Sequence, residues 1–127
     1  MRALLDTSYF IGAEMGRPMA RPTGLDETEV SVVTLAELTI GVLRATEEDR
    51  PARLATLSRV EANWEPLGID AEVARTFARI VADLRGRGRR APVLDLLLAA
   101  TAMVEGIPVV TQDRDYDAIE GLTVIKV

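Results

Sequence analysis

A chain of 127 residues that is 48% hydrophobic is long enough to bury one sizeable core. It contains no Cys and no His, which excludes disulfides, thiol nucleophiles, Cys- or His-ligated zinc, imidazole acid–base catalysis and Ser-His-Asp triads. The formal net charge is −5, which ordinarily argues against a nucleic-acid partner, and fourteen of the fifteen basic residues are Arg, so if the chain is an enzyme its chemistry falls to carboxylates and hydroxyls helped by a hard metal ion.

The chain opens MRALLDTS, and residues 2–5 read as a short buried strand followed by Asp6. Three apolar residues before an acid are too few for a signal peptide or anchor, and no later apolar run approaches the ~18 residues of a membrane span. A soluble, cytoplasmic chain forming one domain over 1–127, with no membrane partner, is expected. Thr7 or Ser8 is placed to cap a helix to about Met15. Residues 16–29 hold two prolines and two glycines and read as an irregular excursion. The β-branched Val30-Ser31-Val32-Val33 reads as a second strand, with Thr34 capping a helix over 35–45 that places Glu37 in its first turn.

A helix over about 48–64 follows, with Leu54, Leu57 and Val60 at helical spacing, and 65–69 reads as a third strand. Asp70 caps a helix over 71–85 whose Val73, Phe77, Ile80, Val81 and Leu84 form one face. Then comes the run Arg85-Gly86-Arg87-Gly88-Arg89-Arg90. Arginines suit a helix C-terminal end and a solvated loop, and they gain meaning only beside a phosphate-handling site. Pro92 and Asp95 open the helix LLLAATAMVEG, which stops at Gly106; Ala99, Ala100 and Ala102 keep it slim enough to press against a sheet. Residues 107–111 and 123–127 read as the fourth and fifth strands. Short apolar strands alternating with helices specify an α/β layer sandwich around a mainly parallel sheet, covered by helices on both faces.

In VVTQDRDYDA, Asp113, Asp115 and Asp117 alternate directly after the fourth strand. An EF-hand loop would need Gly and Glu at its sixth and twelfth positions, where Ala118 and Val124 stand instead. Sites of open parallel sheets form at the strands' carboxyl ends. Asp6, Glu37, Asp113 and Asp115 fall at that edge, and Asp95 joins them if its helix runs antiparallel to the strands. Each acid alone has an ordinary role as a cap or solvated residue. Together they do not, because like charges ~5 Å apart repel by roughly 3 kcal/mol per pair at an effective dielectric of about 20. An oxygen-only cluster of this kind calls for Mg²⁺ or Mn²⁺. Ser8 and Thr111 offer hydroxyls to orient a water or a carboxylate, and Asp117 reads as a cap or solvated residue.

LLDTSYF, VVTLAELTIGV and VLDLLLAATAMVEGIPVVTQDRDYDAI, in this order and spacing, resemble the PIN domain, most closely the VapC-type toxins of bacterial VapBC toxin–antitoxin pairs. The resemblance implies a PIN-like three-layer α/β/α sandwich with a mainly parallel central sheet of about five strands. It implies that Asp6, Glu37, Asp95 and Asp113 form the catalytic acidic quartet, that Asp115 is a fifth acid beside the metal ligands Asp6, Asp95 and Asp113, and that Ser8 and Thr111 are the supporting hydroxyls. It further implies an Mg²⁺- or Mn²⁺-dependent endoribonuclease toxin acting on structured RNA such as tRNA or rRNA, commonly a homodimer. Such a toxin is held inactive by a cognate VapB-type antitoxin, through which alone it would meet DNA. Phosphodiester hydrolysis by water would leave 5′-phosphate and 3′-hydroxyl ends, whereas a cyclic phosphate normally wants a base such as His. Arg85, Arg87, Arg89 and Arg90, just before Asp95, would hold the RNA backbone. Two features depart from the family pattern: Tyr116 stands where Phe is commoner, and the overall charge is acidic.

Other readings fit less well. A receiver-like domain needs a Lys beside its acidic pocket, and Lys126 lies near the terminus. A dehalogenase-type phosphatase needs D-x-D after the first strand, where Ser8 replaces the second Asp. A PIN nuclease of RNA processing without an antitoxin, and a catalytically silent PIN binding module, stand as the alternatives.

Overall fold

The first strand, β1 (Arg2–Leu5), alternates its side chains between two separate cores: Leu4 enters one, while Ala3 and Leu5 enter the other. That alternation sets the architecture of the computed structural model, which describes residues 1–20 and 24–127. β1 is followed by α1 (Thr7–Glu14), β2 (Glu27–Glu29), α2 (Val32–Arg44), α3 (Arg50–Asn63), α4 (Ala71–Gly86), α5 (Val93–Glu105), β3 (Val109–Thr111), a single 3₁₀ turn (Asp115–Ala118) and β4 (Val124–Lys126). The strands form one parallel four-stranded sheet in the order β2-β1-β3-β4. Leu4 and Val109 meet α4 and α5 on one face through Ile80, Leu84, Leu98 and Ala99. Leu5 and Val110 meet α1, α2 and α3 on the other through Phe10, Leu38, Leu57 and Val60. The result is the expected α/β/α sandwich, and no helix among the described residues is long and apolar enough to cross a membrane.

Two strands differ from the sequence reading, each for a physical reason. The second strand is Glu27–Glu29, not residues 30–33, because Ser31 ends the extended segment by capping α2: its Oγ accepts the Val33 N–H at 3.0 Å. β2 is an edge strand, and its acids pair with the neighbouring Arg2, whose guanidinium lies 3.0 Å from Glu29 and 3.8 Å from Glu27. The expected third strand contributes a single bridge, Leu67 to Ser31, since Pro66 supplies no N–H and Gly68 follows at once. The sheet therefore has four strands, not five. On α3, Leu57 and Val60 are buried while Leu54 stays about half exposed. Part of the expected 16–29 excursion, residues 21–23, lies outside the described residues.

Other expectations hold. The Asp70 Oδ1 caps α4 by accepting the Val73 N–H at 2.9 Å. α5 ends at Gly106, whose φ of +68° is the left-handed conformation that glycine adopts without strain. Ala99, Ala100 and Ala102 of α5 are fully buried, so this helix does lie close against its neighbours.

Candidate active site

Parallel pairing fixes where the first acid lands. Leu5 is in register with Val110, and the Asp6 N–H donates to the Val110 carbonyl at 2.9 Å, so Asp6 sits beside Thr111 at the carboxyl edge of the sheet. Asp6 is 3% exposed, and its carboxylate is held by three hydroxyls. Ser8 and Thr111 donate to Oδ2 at 2.7 and 2.8 Å, and Tyr116 donates to Oδ1 at 2.8 Å. Ser8 and Thr111 are themselves fixed, accepting the backbone N–H groups of Gln112 at 3.0 Å and Asp113 at 2.9 Å. The two hydroxyls expected at the site thus orient a carboxylate. Thr7 and Ser8 do not cap α1 with their side chains; Asp6 is its N-cap residue, and both hydroxyls point into the acid cluster.

Glu37 stands in the second turn of α2, not its first, because the helix begins at Val32. Its Oε1 accepts the Thr7 hydroxyl at 2.8 Å, and the buried Thr34 hydroxyl lies 3.1 Å from that of Thr7. Asp95 lies in the first turn of α5. One carboxylate oxygen from each of Asp6, Glu37 and Asp95 lies within 4.8 Å of the other two, and the same holds for Asp95, Asp113 and Asp115. The structure therefore gathers all five expected acids around Asp95. Asp115 is exposed and its N–H caps Asp113 Oδ1 at 2.9 Å, whereas Asp117 turns away to an ion pair with Lys126 at 3.0 Å. Lys126 also donates to the Asp113 carbonyl, so the single lysine braces the loop of acids.

Charge crowding is written into the titration of these groups. Burial, then the neighbouring carboxylates of Asp6, Asp113, Glu37 and Asp115, push the Asp95 carboxyl up to about 7. Glu37 is raised above its ordinary value mainly by burial; the Thr7 hydroxyl opposes this, and Asp6 and Asp113 add to it. Carboxylates set this close, with only oxygen donors and no imidazole or thiol, suit a hard divalent cation, which would relieve their repulsion. The donor set fits Mg²⁺ or Mn²⁺.

The arginine run divides. Arg87 folds back, pairing with Asp83 at 2.7 Å and donating to the Ala118 carbonyl at 2.8 Å. Arg85, Arg89 and Arg90 line a groove of about 470 Å³ between α4 and the start of α5, floored by Phe77, Val81, Leu84 and Leu96.

Sequence reasoning assigned no site role to Thr7, Thr34, Tyr116 or Lys126. The first three lie next to or on the motif residues, but which acid each hydroxyl serves emerges only from the fold. Thr111 links two of the segments, so its isosteric replacement Thr111→Val, which removes its hydrogen bonds with Asp6, Ser8 and the Asp113 N–H, is expected to cost about 2 kcal/mol of stability. Urea unfolding of the two proteins at pH 7 reads this directly.

A family model described as the PIN domain matches residues 3–122. The chain is 43% identical to ribonuclease VapC4 of Mycobacterium tuberculosis over 126 residues, covering 99% of this chain and 97% of that protein. It is likewise 43% identical to ribonuclease VapC5 of the same organism over 125 residues, covering 98% and 92%. Among solved structures, a member of the VapBC family of toxin–antitoxin systems, VapBC-5 from M. tuberculosis, superposes with a TM-score of 0.86 at 41% identity, covering 99% of this chain and 97% of that one.

Proposed function

The chain belongs to the PIN-domain family, among its VapC-type ribonuclease toxins, and from that premise we propose that it is an Mg²⁺- or Mn²⁺-dependent endoribonuclease that cuts structured RNA such as tRNA or rRNA. The single observation behind the cation dependence is the convergence of Asp6, Glu37, Asp95, Asp113 and Asp115 on one sheet edge. The completeness of that set disfavours a silent binding module. A cognate antitoxin as inhibitor is supported by the likeness to VapBC-5, itself a member of a family of toxin–antitoxin systems. A homodimeric, cytoplasmic form, acting as a single domain, follows from the resemblance to such toxins.

In this mechanism Asp6, Asp95 and Asp113, with Asp115 beside them, would hold the cation. When bound, the cation supplies charge neutralisation at the scissile phosphate and lowers the pKa of water. Asp6 arrives pre-oriented by its three hydroxyl donors. Asp95, whose carboxyl is pushed up to about 7 by burial and its acidic neighbours, would serve as a ligand only in its deprotonated form. Glu37, fixed through Oε1 by Thr7 and raised by burial, takes a proton from the attacking water on Oε2. The new P–O bond forms as the bond to the 3′-oxygen breaks, and that oxygen is protonated from solvent. The products carry 5′-phosphate and 3′-hydroxyl ends.

The groove beside α5 positions the substrate, with Arg85, Arg89 and Arg90 on RNA phosphates. Total RNA is expected to be cut in Mg²⁺ or Mn²⁺ and to stay intact in EDTA; an intact pool with both cations overturns the proposal. In the same assay a triple Ala variant of Arg85, Arg89 and Arg90 is expected to bind RNA at least about tenfold more weakly, with a flatter salt dependence and unaltered Mn²⁺ affinity. Unchanged RNA affinity would remove these arginines from the substrate path.

A further inference from the structure

We propose that Tyr116 is a positioning residue of the acidic site, its hydroxyl joining Asp6 to Asp95 so that the two carboxylates are set to receive one divalent cation. The inference rests on the cation-dependent reading above and adds to it a residue outside the acidic set.

Tyr116 is fully buried, at 0% exposure, and a phenol hydroxyl so placed must find a partner. It has two, and both are acids of the cluster. The hydroxyl donates to Asp6 Oδ1 at 2.8 Å and lies 3.4 Å from Asp95 Oδ1, so its one proton serves Asp6 first and leans toward Asp95. Asp6 Oδ2 is already held by Ser8 and Thr111; Tyr116 fixes the other oxygen and so removes the carboxylate's remaining freedom to rotate. Asp95 is more dependent still. Among the described residues, Tyr116 is the one side chain that donates to it, while Asp6, Glu37, Asp113 and Asp115 all repel it. Without the hydroxyl, no side-chain donor joins buried Asp6 to half-buried Asp95, and only repulsion acts between them.

The placement is also over-determined. Tyr116 lies in the 3₁₀ turn Asp115–Ala118, which begins just after Asp113 and Arg114. Lys126 braces this turn through Asp117 and the Asp113 carbonyl, and Arg87 through the Ala118 carbonyl. The segment that brings half-buried Asp113 and exposed Asp115 to the site thereby pins the two inner ones. A Phe here would fill the same space and leave Asp6 and Asp95 without their common donor, so the hydroxyl is the informative group. Partners that orient metal ligands from behind typically change metal affinity 10–100-fold when removed.

The test compares Mn²⁺ titration of the wild type and Tyr116→Phe by calorimetry, with thermal melting of both in EDTA to establish folding. The expected result is Mn²⁺ affinity about tenfold weaker in the folded variant, with KM for RNA unchanged and kcat reduced at limiting Mn²⁺. Equal Mn²⁺ affinity in the two proteins would reduce Tyr116 to a packing residue and overturn the proposal. A wild type that binds no Mn²⁺ would overturn the cation-dependent reading itself, and the inference with it. A wild-type measurement avoids any dependence on the variant's folding. In protein labelled with ¹³C at the tyrosine ring, Mg²⁺ should move the Tyr116 resonance, with Tyr9, the other tyrosine, as the internal control. A Tyr116 resonance unmoved at saturating Mg²⁺ contradicts the proposal.

Discussion

Asp95→Asn is expected to reduce RNA cleavage by about 10³-fold or more while making the cation-free protein more stable. The loss follows from removing the carboxylate common to both three-acid groups, since metal charge stabilisation is worth several kcal/mol of barrier. The gain follows from the same crowding. An aspartate ordinarily titrates near 3.8, and in the folded chain the Asp95 carboxyl is pushed up to about 7 by burial and then by its four acidic neighbours. Between those values the native chain holds a proton that the unfolded chain has lost. Stability therefore falls as pH rises from about 4 to 7, and the whole penalty is present above 7. A shift of that size is worth about 4 kcal/mol in a dry site, and about half that for a half-exposed carboxyl screened by water. Relief of about 2 kcal/mol corresponds to a rise of roughly 5–10 °C in Tm for a domain of this size. Asn keeps the oxygen that faces Tyr116, so no new unsatisfied group is created. Thermal melts at pH 8 in EDTA check the prediction; a variant no more stable than wild type would mean that the acids do not strain the fold.

The second large effect is on cation binding itself. A cation that displaces the Asp95 proton must bind more tightly as pH rises, because below about 7 it competes with that proton. The apparent Kd for Mn²⁺ should fall by about tenfold per pH unit between pH 5 and 7 and then flatten. Calorimetry at pH 6 in buffers of different ionisation enthalpy should count close to one proton released per cation. Wild type in EDTA should lose stability from pH 5 to 8, and cation at about 100 times its Kd should restore about 2.7 kcal/mol. Mn²⁺ affinity independent of pH across this range would show that Asp95 is not a ligand.

The parts of the fold that were legible in the sequence are those whose signal is local. Residues 2–5 and 107–111 are apolar runs ending in a polar group, and the carboxyl edge of a parallel sheet follows from them. Asp6 and Asp113 could be placed at that edge by counting elements, and Asp95 on the condition that its helix runs antiparallel to the strands. β2 was illegible because Glu27-Thr28-Glu29 has no apolar face; its strand character comes from pairing with β1 and from Arg2, both 25 or more residues away in sequence. The β-branched residues after it looked more strand-like, yet Ser31 diverts them into α2. The Ser8 and Thr111 hydroxyls were legible beside the acids, but the Thr7 hydroxyl was hidden for a related reason. Thr7 read as a helix cap because that is what such a residue does in isolation, and only the approach of α2 turns it toward Glu37. Tyr116 read as a departure from the family pattern, with nothing in the sequence to say that its hydroxyl meets the acids of β1 and α5.

The central claim is that carboxylates and a divalent cation hydrolyse RNA here with no imidazole or lysine taking part. The most direct test maps the ends of the RNA fragments made by antitoxin-free protein in Mn²⁺. The expected ends are 5′-phosphate and 3′-hydroxyl, with no fragments in EDTA or with Asp6→Ala. Fragments with 5′-hydroxyl and 2′,3′-cyclic phosphate ends, or cutting that persists in EDTA, would contradict it.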